Sequence, residues 1–143
     1  MAVTNARYAL FPLHPLHAVL LASPLPLFLG ALLSDWAYSA TYQIQWINFA
    51  SWLIAGALIF VGMALVWSFL HRLRSHHPPV RSKWLLVAVV PATFVLGLIN
   101  ALIHAKDGWA TMPAGLILSI FVFILAVASA WSGFSAVRSG EPR

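Results

Sequence analysis

Four apolar runs, at about residues 17–38, 48–70, 84–104 and 112–134, decide what this chain can become. At about 1.5 Å of helix per residue, each is long enough to cross a hydrocarbon layer about 30 Å thick. A backbone in lipid has no water to bond with and must satisfy its own amides, so runs of this length predict α-helices. Composition agrees. Only 8% of the 143 residues are charged, against about a quarter in soluble domains, and 62% are hydrophobic. Eight Lys and Arg with three Asp and Glu cannot clothe a water-exposed surface. The expectation is an all-α integral membrane four-helix bundle, one membrane domain over residues 1–143, with a basic loop at 71–83.

The first run is punctuated by Pro12, Pro15, Pro24 and Pro26. It lacks the continuous apolar core of a cleavable signal, and the last two prolines predict a bend, since each removes an amide donor inside a helix. Asp35 and Trp36 are expected to close that helix, and Ser39–Gln45 to form a short uncharged loop. Ser51, Ala55, Gly56 and Gly62 on the second helix, Gly97 and Ala101 on the third, and Gly115, Ser119, Ala126 and Ala130 on the fourth offer small surfaces for close helix contact. Pro78–Pro79 stops any continuous helix through the basic loop. Lys106–Thr111 is expected to be a tight loop.

Orientation follows from the cations. Arg7, Arg72, Arg74, Arg81, Lys83, Arg138 and Arg143 fall on one side of a four-span topology, and Lys106 alone on the other. The positive-inside rule then predicts both termini in the cytoplasm. The formal charge of +5 is thereby assigned to topology rather than to nucleic acid.

Ionisable side chains within spans cost about 2.5–3.5 kcal/mol at the bilayer centre on insertion scales, which makes them candidates for function. Asn100, His104 and Asp107 are spaced i, i+4, i+7, one face of a helix, and Asp35 ends the first helix at the same level. A histidine between two carboxylates can pass protons, or bind a cation or a quinone head group. On the opposite side, His14, His17 and His71 are candidate haem ligands, because two imidazoles at equal depth on separate helices can hold haem b within a bundle. His76 and His77 sit in the basic loop and read as solvated or phosphate-facing. With no cysteine, thiolate chemistry is excluded. No nucleotide loop, HExxH or GxSxG occurs, so a non-catalytic membrane subunit is expected.

One set of elements together resembles the small bacterial DUF2231 family: HPLH at His14–His17, Pro24, Gly30, Asp35, the N-x-x-x-H-x-x-D string at Asn100, His104 and Asp107, MPAGLILS at Met112–Ser119, and Trp131–Gly133. The resemblance spans nearly the whole chain and implies a multi-pass protein of the bacterial inner membrane. Its relatives' association with sugar dehydrogenases and c-type cytochromes implies an electron-transfer setting, with haem or quinone as cofactor and a membrane or periplasmic redox protein as partner. Ala18 after His17 and Ser23 before Pro24 depart from the family's HPxHP pattern and its further histidine. The expected function is a subunit passing electrons between a redox partner and haem or quinone. Two alternatives stand beside it: a small transporter or proton relay using Asp35, His104 and Asp107, and a structural anchor of a larger complex.

Overall fold

A computed structural model describes residues 15–74, 81–106 and 108–138, and in it Pro24 and Pro26 divide the first span. Helix α1 runs Pro15–Ala22 and α2 runs Pro24–Thr41. Neither proline has an N–H to return to the carbonyl four residues earlier, at Leu20 or Ala22, so the ladder breaks there. Ser23 bridges the gap by directing both its amide (2.9 Å) and its hydroxyl (2.8 Å) to the Val19 carbonyl. Pro24 then occupies the first turn of α2, where a missing donor is tolerated.

Helix α2 continues about two turns beyond Asp35 instead of closing on it. Ser39 and Thr41, read as loop formers, fold their hydroxyls back on the carbonyls of Trp36 and Ala37, each at 2.7 Å, and extend the helix. Tyr42 ends it in the left-handed region (φ 54°), its amide bonded to the Tyr38 carbonyl. After Gln43 the chain enters α3, Ile44–Arg74, whose 31 residues measure about 46 Å. The third span is α4, Arg81–His104. A single turn, α5 at Gly108–Thr111, leads to α6 at Ala114–Arg138. Among the described residues there is no strand, and four helical segments are long and apolar enough to cross a membrane: Pro15–Thr41, Ile44–Leu70, Val87–His104 and Ala114–Phe134. This is the four-helix membrane architecture that the apolar runs predict.

Helix α2 lies against α3 and α6, and α4 lies against the same two. The spans therefore stand in a ring with α2 and α4 on one diagonal. Each turns a regular seam inward: Pro24, Phe28, Ala31, Asp35 and Tyr38 on α2; Ile47, Ala50, Ile54, Ala57, Val61 and Ala64 on α3; Val90, Thr93, Gly97, Asn100 and His104 on α4; Gly115, Ser119, Val122, Ala126, Ser129 and Gly133 on α6. On all four spans the spacing alternates three and four residues, the period by which antiparallel helices interlock at a shallow crossing angle. Apart from Phe28, Tyr38, Ile47 and Ile54, the largest side chains face the other way or lie at the flanks, with Trp52 79% and Trp131 73% exposed on the outer surface. Small residues inside let the backbones approach, and lipid solvates the large ones outside.

Candidate functional site

Four polar side chains from three helices meet on the axis, near the end of the bundle that carries the two short loops. Asp35 comes from α2, Asn100 and His104 from α4, and Ser119 from α6. Asp35 and Asn100 are wholly buried, and the side chains of Asp35 and His104 have no solvent contact. His104 Nε2 stands 2.7 Å from Asp35 Oδ1, joining the two diagonal helices. Ser119 donates to Asp35 Oδ2 at 2.5 Å, and Asn100 Nδ2 donates to Ser119 Oγ at 2.9 Å.

Counting hydrogens fixes much of the electrostatics. His104 Nδ1 lies 2.9 Å from the Asn100 carbonyl, which can only accept, so Nδ1 carries a hydrogen. Nε2 and Oδ1 cannot face each other at 2.7 Å with two lone pairs, so a proton sits between them. It belongs either to an imidazolium beside a carboxylate or to a carboxylic acid beside a neutral ring. Both forms have zero net charge, which lets the pair exist away from water, where a lone ion is costly. Ser119 has one hydroxyl hydrogen and gives it to Asp35, so toward Asn100 it accepts. That leaves Asn100 Oδ1, buried, with no donor.

The MPAG string explains how α6 comes so close. A methyl group on Gly115 would lie 3.0 Å from His104 Cε1 and 2.7 Å from Thr111 Cγ2. Only a residue without Cβ lets the start of α6 pass beside the imidazole. Thr111, wholly buried, closes the same corner by donating to the Ile103 carbonyl at 3.3 Å.

Of the residues singled out in the sequence, Asp35, Asn100 and His104 are thus brought together. Asp107 lies outside the described residues. Asp35 sits in the helix body and not at its end. Among the haem candidates, His14 lies outside the described residues. His71 belongs to α3, but its side chain is not among those described. The His17 ring stacks on Trp67 of α3, centroids 6.4 Å apart and planes at 23°. Ser119 is the member that sequence reasoning passed over. Its i+4 relation to Gly115 reads as a small packing surface, although a hydroxyl on that face is also the signal that it could bond across the bundle.

No curated protein and no solved structure matches the chain. Residues 13–141 do match one family, described as a predicted membrane protein. With four apolar helices around a buried polar axis, and a match over nearly its full length, the chain belongs to the DUF2231 family.

Proposed function

We propose that this protein is a small proton or ion relay of the bacterial inner membrane, with the Asp35–His104 pair as the station that holds and passes one proton. The observation that carries this reading is a carboxyl and an imidazole, both without solvent contact, sharing a hydrogen bond inside a membrane bundle. Ionisable groups in that setting are costly, which favours a working role over a packing one. The pair can release or accept a proton at Asp35 Oδ1 or His104 Nε2, while Ser119 and Asn100 hold the carboxylate in register. Asp107, three residues beyond the end of α4, is the candidate partner for exchange with the surface. The charge bias of the loops supports a topology with both termini in the cytoplasm, which turns the pair toward the outer face.

Reconstituted into liposomes with a pH gradient, the protein should carry a proton flux. Asp35→Asn and His104→Gln should each lower it by about a hundredfold, the low end of what a positioned acid–base group supplies. Equal flux in both variants and wild type would end the relay reading.

One observation favours a redox role as the second reading. His17 and His71 belong to α1 and α3, which pack against one another, and Trp67, on which His17 stacks, lies one turn before His71. A haem there, or a quinone, would pass electrons to a redox partner protein. Absorption spectra of the purified protein before and after dithionite decide it: no Soret shift and no extractable haem would remove the cytochrome version.

A further inference from the structure

A second polar pair lies on the same axis, deeper in the bundle. Thr93 of α4 and Ser129 of α6 are both buried, with their hydroxyl oxygens 3.1 Å apart. Thr93 gives its one hydroxyl hydrogen to the Val89 carbonyl at 2.8 Å. Ser129 must therefore be the donor in the pair, and both lone pairs of its oxygen remain open to accept. Beside the two hydroxyls is a cavity of about 10 Å³, bordered also by Leu20, Pro24, Val61 and Ala126. One water needs on the order of 10–15 Å³ and two or more polar partners. Leu20 is the residue whose carbonyl Pro24 cannot serve, since proline has no N–H.

Between this cavity and the Asp35–His104 pair the axis is apolar. Thr93 precedes Asn100 by seven residues, about 10 Å along α4. Within that interval Phe28 crosses from α2, 1% exposed, to rest over Gly97; its Cζ is 3.4 Å from where a Gly97 methyl group would be. Val122 of α6, wholly buried, fills the same layer. On α2, Phe28 stands one turn from Pro24 at the cavity and two turns from Asp35 at the pair, so it separates the two polar levels.

We infer that the Thr93–Ser129 cavity holds a single water that is the second station for the proton of the Asp35–His104 pair, and that Phe28 is the septum between the stations. This rests on the relay reading and adds its route: away from the short loops, toward the break between α1 and α2. A proton leaves His104 Nε2 or Asp35 Oδ1 and reaches the Ser129-bound water when the Phe28 ring swings off Gly97 and admits a transient water file. Each water accepts one proton and releases another, so no co-reactant is needed.

The test measures hydrogen exchange at the His104 ring nitrogens by ¹⁵N-histidine NMR of the full chain in lipid nanodiscs. Exchange at a buried group follows the free energy of local opening, so Phe28→Ala should speed it by at least about tenfold, and Phe28→Leu, which keeps a plug, by less. Gly97→Ala, which presses a methyl group toward Phe28 and Leu58, should slow it. In a Thr93→Val/Ser129→Ala background, the gain from Phe28→Ala should disappear. Unchanged exchange in Phe28→Ala, or the same acceleration without the two hydroxyls, would overturn the route. Liposome flux separates this from the parent reading. Exchange that obeys the pattern in a protein carrying no flux leaves the two stations in place and removes the relay.

Discussion

A histidine and a carboxyl that share one proton inside a bilayer are stable together and costly apart. Removing either leaves the other buried without its counter-group, a loss of about 3–5 kcal/mol for buried ion pairs. Asp35→Leu and His104→Leu should each destabilise the protein by that order, whereas the double variant should lose less than either single one. Unfolding followed by tryptophan fluorescence in mixed micelles reads the difference, and simple additivity would show that the 2.7 Å contact is energetically idle. The candidate residues were largely legible in the sequence because polar side chains stand out in apolar runs: Asp35, Asn100 and His104 are each conspicuous. Ser119 was not, since a hydroxyl can be absorbed by its own helix, as Ser34, Ser51 and Ser68 are by carbonyls four residues back.

At the scale of the helices, the inward seams could not be read from hydropathy. Lipid on the outside is as apolar as the core, so a span shows no amphipathic contrast except where a polar residue marks the axis. From the sequence, Ser51, Ala55, Gly56 and Gly62 offer contact surface on the second span. Of these, Gly56 and Gly62 stand beside Leu27 of α2 and Phe94 of α4, whereas Ala55 is exposed and the fully closed face of α3 runs through Ala50, Ile54, Ala57, Val61 and Ala64. Substitution should expose this polarity of size. Ala57→Leu forces extra methyl groups into a closed seam and should cost about 1–3 kcal/mol. Trp52→Ala removes far more volume from the outer face and should stay within about 0.5 kcal/mol. If the two rank the other way in the same unfolding assay, the assignment of inner and outer faces is wrong. Helix ends were the least legible part, because Ser39 and Thr41 bond to their own turn and extend a helix that their polarity marks as ending.

For the whole molecule, fold class was plain from the four runs, while the order of helices around the ring was not, because nothing in a sequence says which spans are diagonal. The absence of cysteine makes topology directly testable: single cysteines placed at Lys106 and at His77 should react with an impermeant thiol reagent from opposite sides of the membrane. Labelling of both from one side would contradict the four-span arrangement.

His104 is the final residue of α4, so the imidazole stands where the apolar part of that span gives out. A bilayer with longer acyl chains draws such an end below the headgroups, and a thinner one lifts it toward water, each at a fraction of a kcal/mol per Å. Lipid chain length therefore becomes a dial on the ease with which the buried proton meets bulk solvent, turned by the membrane itself without any ligand.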